Sequence, residues 1–219
     1  MFGVAKLLSE EVSFERHVDN RLLTVCGSLQ GRSANRAALD VASAVAVAEG
    51  ATVEDFDRLA EVPAFDPDRA EERIEVIDDW RRRVSIANAV LVATPEYAGA
   101  VAGAVKNAFD WLVGSGELYR KPVAVMSAGT SGGQHARRMM AQTLTWQGAY
   151  VVGELGIASP RTKSDEHGRL NDDATLAAIA SLTHVLLGAP AMTAADVVGL
   201  ATATVDSLGV DVAHVAPPG

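Results

Sequence analysis

Short apolar runs alternate along the chain with longer stretches in which apolar residues recur every three or four positions. LLTVC (22–26), TVEDF (52–56), AVLVA (89–93), PVAVM (122–126) and YVVGEL (150–155) have strand length. Three of them are nearly continuous in apolar character, as strands buried on both faces of a parallel sheet are. The pattern around them predicts helices over 34–49, 69–87, 103–113, 135–147 and 173–187. Strict strand–helix alternation implies right-handed crossovers and a sheet with helices on both sides. Residues 21–188 therefore predict an α/β three-layer sandwich around a five-stranded parallel doubly wound sheet, flavodoxin-like in size. An eight-fold barrel does not fit so few strands. Residues 1–20 read as a polar N-terminal extension. Residues 189–219 read as a C-terminal one, with one weak helix over 194–208 and a closing APPG.

Composition narrows the function. Of the 219 residues 48% are hydrophobic and 21% charged, which argues against disorder and coiled coil. No apolar run approaches the roughly 18 residues of a membrane span. The opening MFGVAKLLSEEVSFERHVDN lacks the apolar stretch of a secretory signal, so a soluble protein is expected. A net charge of −9 repels nucleic acid and anionic lipid, so neither is expected as a partner. One cysteine, Cys26, leaves no intrachain disulfide and fits a reducing cytoplasm. The five histidines are scattered without metal-ligand spacing, so no metal is expected.

In an open parallel sheet, ligands bind beyond the carboxyl ends of the strands. Three loops there are unusual. GSLQGRSAN (27–35) has two glycines for a tight turn and Ser28, Ser33 and Asn35 as short hydrogen-bonding groups, and it runs into a helix N-terminus that favours an anion. It matches neither GxxxxGK[ST] nor GxGxxG. It suits a terminal monophosphate, with Arg32 nearby; Ser33 or Asn35 acting only as a helix cap is the plainer use. TPEYAGAVAGAVKNAFDW (94–111) opens on residues that do not continue a buried strand, and its small residues leave backbone amides open to a flat ligand. Lys106 and Asp110, four apart, suggest an exposed ion pair. SAGTSGGQH (127–135) is again glycine-rich, and its GTSGG fits the GxSxG nucleophile elbow around Ser131. A hydrolase would need Asp165 with His184 or His214 as partners.

Together GSLQGRSAN, PEYAGAVAGAVKNAFDW and KPVAVMSAGTSGG resemble the motifs of the NAD(P)H-dependent FMN reductases, a flavodoxin-like family that includes quinone, azo-dye and chromate reductases. The resemblance spans residues 22–188 and implies FMN as cofactor, NADPH or NADH as co-substrate and a small-molecule electron acceptor. It implies cofactor-based chemistry with no catalytic side chain. Ser28, Ser33 and Asn35 would hold the FMN phosphate, with Gln30 and Arg32 beside them. Pro95, Glu96, Tyr97, Ala98 and Gly99 would lie along the isoalloxazine. Ser127, Gly129, Thr130 and Gly132 would close its far side. It also implies a homodimer or homotetramer. The chain departs from the family pattern at Ala98, where Asn is usual, at Ala102, where Pro is common, and at Gln30, where Arg is frequent. Arg32, Arg36, Arg137 and Arg138 are candidate cations for a dinucleotide pyrophosphate. An electron carrier that does not react with NAD(P)H, and a serine hydrolase using Ser131, are the alternative readings. Cys26 is read as a small buried hydrophobe, and Trp80, Trp111 and Trp146 as core or interface residues.

Overall fold

Alternation along each strand sends side chains to two separate cores. The structure, a computed structural model, describes residues 20–218, so the N-terminal extension lies outside the described residues except for Asn20. The strands are β1 (Arg21–Cys26), β2 (Thr52–Phe56), β3 (Ala89–Ala93), the two-residue β4 (Glu96–Tyr97) and β5 (Ala100–Val101), β6 (Pro122–Gly129) and β7 (Tyr150–Ala158). Five of them form one parallel sheet in the order β2-β1-β3-β6-β7, and β4 and β5 form an antiparallel hairpin. The helices are α1 (Ala34–Ala48), α2 (Glu75–Ile86), α3 (Gly103–Asp110), α4 (Gln134–Trp146), α5 (Asp173–Gly188) and α6 (Ala194–Ser207).

Leu22, Leu91, Ala124 and Met126 face α1 and α5, whereas Leu23, Val25, Val90, Val92, Val123 and Val125 face α2, α3 and α4. Burial on both faces is the reason the central strands are almost wholly apolar. The order is that of a flavodoxin-like sheet, and the direction of winding reverses between β1 and β3. Trp80 is fully buried between Phe56 and Phe109, at ring-centroid distances of 4.6 and 5.3 Å, and its indole N–H donates to Ala108 O at 2.8 Å. Trp111 is buried as well. Trp146 differs: it is 62% exposed and stacks on His214.

Several boundaries depart from the pattern-based reading, among them the end of α3, which stops at Asp110 rather than at 113. Helix α2 begins at Glu75 rather than at 69, because residues 69–73 offer no large apolar side chain to bury; Pro67–Arg69 is instead a single 3-10 turn. β6 continues to Gly129 and, past a register shift between Val123 and Ala124, pairs with β7 as far as Ala158. Ser127 to Gly129, expected in a loop, are thus strand: small residues can pair there without needing space. The C-terminal segment is packed along the edge strand β7. Val197 and Ala201 join the core under α5, and Val205, Leu208 and Val210 join the core under α4. Helix α5 with its 3-10 continuation, Asp173–Ala191, is also long and apolar enough to match a membrane span, with a mean hydropathy of 1.5. Ser181, Thr183 and His184 interrupt its apolar run, and Ile179, Leu182, Leu186 and Leu187 are buried against the sheet, as in a core helix.

Candidate functional site

A cleft of about 960 Å³ lies beyond the carboxyl ends of the sheet strands, where the winding reverses. Its walls come from the loop after β1, the β4–β5 hairpin, the end of β6 and residues 159–169.

Gly27 opens the first loop in a tight spot: a Cβ there would sit 3.0 Å from Val105 and 3.1 Å from the Thr94 hydroxyl, so a larger residue would need these neighbours to give. Ser28 Oγ accepts from Gln30 N at 3.3 Å, and Ser33 Oγ accepts from Asn35 N at 3.2 Å as the N-cap of α1. The first turn of α1 carries no acidic residue, so the positive end of the helix is not neutralised from within. Asn35 is buried and has both ends of its amide on one partner. Its Nδ2 donates to Ala128 O at 3.1 Å and its Oδ1 accepts from Ala128 N at 2.9 Å. Its side chain ties the loop to β6, a different use from direct phosphate contact. Arg36 is paired with Asp55 at 2.8 Å, and Asp55 also accepts from Thr24. Asp40 lines the cleft next to them; burial, the largest influence, raises its carboxyl pKa against the pull of Arg36. Cys26 is buried, and burial pushes its thiol pKa up, in keeping with an inert residue.

The second wall is the hairpin. Pro95, Glu96 and Tyr97 line the cleft, and Tyr97 is 57% exposed. Glu96 Oε2 accepts from His135 N at 2.8 Å and Ala136 N at 3.1 Å. It caps α4, whose own N-cap, Gly133, has no side chain to do so. The carboxylate therefore anchors the hairpin to the next helix. Ala98 and Gly99 form the two-residue turn with φ of 51° and 73°. Two positive φ values suit the Asn-Gly type of hairpin turn. Alanine tolerates that region poorly, by about 1–2 kcal/mol, whereas asparagine visits it readily. Ala98→Asn is expected to stabilise the protein by about 0.5–1 kcal/mol and raise Tm by about 1–4 °C. Thermal unfolding checks this, and an unchanged or lower Tm would show that the turn is not strained.

Gly129 and Thr130 line the cleft at the end of β6, but Ser127 and Gly132 lie behind its wall. Ser127 is fully buried with its hydroxyl unpartnered, and Gly132 packs on Gly156 of β7. Arg137 is directed inward as well: it pairs with Glu154, and its Nε donates to Gly132 O at 3.0 Å. Arg138 lies beside Gly209 in the C-terminal segment. Of the four candidate cations, Arg32 and Arg36 line the cleft.

Residues 159–169 form a wall that the pattern did not single out. Ser159, at φ 50°, turns the chain after β7, its N–H donating to Gly129 O at 3.1 Å. A 3-10 turn, Pro160–Lys163, follows, then a loop held by Asp165. The Asp165 carboxylate accepts from the backbone N–H of Arg169 and of His167 and from Arg169 Nε, and these bonds, the Arg169 amide first, hold it below the usual carboxylate range. Arg32 reaches across the cleft toward His167 O at 3.5 Å. The signal was available, since SPRTKSDEHGR follows the fifth strand and has the polar, Pro- and Gly-bearing composition of the other loops.

The hydrolase constellation does not assemble. Ser131 forms an isolated bridge with Ala158, Asp165 is engaged by Arg169, His184 pairs with Glu49, and His214 lies on Trp146.

Comparison with known proteins agrees with this geometry. The family described as NADPH-dependent FMN reductase matches residues 20–163. An NAD(P)H-dependent FMN reductase of Pseudomonas aeruginosa is 34% identical over 162 residues, covering 71% of this chain and 86% of that protein. A quinone reductase of Escherichia coli K12 is 27% identical, covering 71% and 87%. In structure, the flavoenzyme NAD(P)H:(acceptor) oxidoreductase FerB of Paracoccus denitrificans superimposes with a TM-score of 0.64 at 21% identity, over 77% of this chain and 95% of that one.

Proposed function

The chain belongs to the NADPH-dependent FMN reductase family and is an FMN-containing oxidoreductase driven by NAD(P)H, and from that premise we propose that the cleft passes reducing equivalents to a flavin, a quinone or a similar small planar acceptor. The observation that carries the reading is the convergence of all three motif loops on one cleft of about 960 Å³, at the top of the usual size range for small-molecule sites.

The residues present fit FMN. Gly31 and Gly129 line the cleft, and a Cβ at either would meet nothing within 4 Å, so both leave bare backbone facing open space. FMN, when bound, supplies hydride acceptance and donation. On this reading Ser28, Ser33 and the α1 N-terminus hold the phosphate, with Gln30 and Arg32 at its rim. Pro95, Glu96 and Tyr97 bear on the ring system, with Ala98 and Gly99 shaping the hairpin that carries them. Gly129 and Thr130 close the other side. Asn35, Ser127 and Gly132 set the backbone from behind. No nucleophilic side chain is required. We further propose a cytoplasmic homodimer or homotetramer. Exposed Val113, Tyr119 and Trp146 would supply contact area, and solution mass gives the test.

On this reading the oxidised nicotinamide leaves before the acceptor enters the same cleft, and initial rates with NADPH and a quinone test that order. Parallel double-reciprocal lines are expected, unchanged by Ser131→Ala. Converging lines, or loss of turnover in that variant, would contradict it.

A further inference from the structure

The wall at 159–169 carries several polar groups, but most are already engaged. Thr162 Oγ1 donates to Ser159 O and Ser164 Oγ to Pro160 O, each at 2.9 Å. Arg169 is taken by Asp165 at 2.7 Å. On the facing wall Arg36 is taken by Asp55. Arg161 lines the cleft, is exposed, and makes neither a hydrogen bond nor an ion pair among the described residues. It stands on the 3-10 turn that Ser159 swings over the cleft. Around it Asp165 and Glu166 also face the cleft, and would repel any anion that lacked a cation partner.

We infer that Arg161 selects the reductant by binding the 2′-phosphate of NADPH, and so discriminates against NADH. This rests on the reading that a nicotinamide nucleotide enters the cleft to reduce FMN. The α1 N-terminus lies on the opposite wall and serves a phosphate group there, and the Arg32 guanidinium, rooted on that wall, reaches across to His167 O. Arg161 is the cation left for a second, separate anionic group. NADPH carries one and NADH does not. A guanidinium forks onto phosphate oxygens in a way that a lysine ammonium does not, so the geometry of the contact matters as well as its charge.

The test uses the FMN-loaded protein and two probes of similar charge, adenosine 2′,5′-bisphosphate and adenosine 5′-diphosphate, with binding measured by calorimetry. The wild-type protein should bind the 2′,5′-bisphosphate about tenfold more tightly, the lower end expected for one exposed charge-assisted contact. Arg161→Ala should remove that preference and leave 5′-diphosphate binding within about twofold, while Arg161→Lys keeps part of it. Arg138→Ala, next to Gly209, should change neither. Equal binding of the two probes by the wild-type protein would overturn the proposal. So would equal weakening of both by Arg161→Ala, which would place Arg161 on the pyrophosphate. Failure of both NADPH and NADH to bleach bound FMN would instead sink the underlying function. Bleaching by NADPH and NADH at equal KM, insensitive to Arg161→Ala, would sink the Arg161 assignment alone.

Discussion

Asn35→Ala is expected to weaken FMN binding at least about tenfold and to destabilise the fold by about 2–4 kcal/mol, through the loss of one side chain that need not touch the ligand. The Asn35 amide satisfies both the N–H and the C=O of Ala128, at 2.9 and 3.1 Å, in a buried setting. Alanine would leave a donor and an acceptor unpaired, each at a cost of about 1–3 kcal/mol where water does not reach. It would also cut the tie between the phosphate-side loop and β6, the two walls that must hold opposite ends of a flavin. Asn35→Asp would keep the acceptor but set a carboxylate against the Ala128 carbonyl and beside an incoming phosphate. Urea unfolding with and without FMN, together with a flavin titration, checks both parts. Normal stability and normal affinity in Asn35→Ala would show that the clamp carries neither.

The second large effect is expected at Gly133. Its φ of 62° is left-handed, and a Cβ there would fall 1.9 Å from Ser127 Oγ and 2.6 Å from Ser127 Cβ. Gly133→Ala should therefore lose about 1–2 kcal/mol to backbone conformation and about 1–3 more to forced repacking. The displacement lands where β6 and the Glu96 cap of α4 meet, so both the hairpin and the Gly129–Thr130 wall shift. Adding Ser127→Gly should recover the steric part and leave the conformational part. Gly129→Ala is the contrast: its Cβ meets nothing within 4 Å. Stability should hold within about 0.5 kcal/mol while flavin binding falls, as for a substitution that crowds only the ligand. A Gly133→Ala protein as stable as wild type would show that the glycine is not required.

The sheet was legible because its cause is local and repeated: strands buried on both faces must be apolar throughout, and Leu91 or Val92 could be nowhere else. Loops bearing glycine and short polar residues after β1, β3 and β6 marked the cleft for the same reason. What escaped reading were partners distant in sequence. Asn35 reads only as a phosphate-side residue until Ala128, 93 residues on, is seen bonded to both ends of its amide. Glu96 reads only as a residue along the ring system until it is found capping α4, and Arg137 as a cation for a pyrophosphate until Glu154 meets it. The wall at 159–169 is hidden for another reason: the fifth apolar run ends at Leu155, while β7 continues through Gly156, Ile157 and Ala158, paired with Ser127, Ala128 and Gly129 of β6. Helix α6 was weak by pattern because it packs along a sheet edge and divides its apolar residues between two cores.

The central claim is that this cleft holds FMN and that a nicotinamide nucleotide reduces it there. The most direct test is the visible absorbance spectrum of the protein reconstituted with FMN, recorded anaerobically before and after NADPH and again after a quinone. The account predicts a bound-flavin band that bleaches with NADPH and returns with the quinone. A bound flavin that stays oxidised would contradict the reductase and leave an electron carrier, and no flavin binding after reconstitution would contradict the site itself.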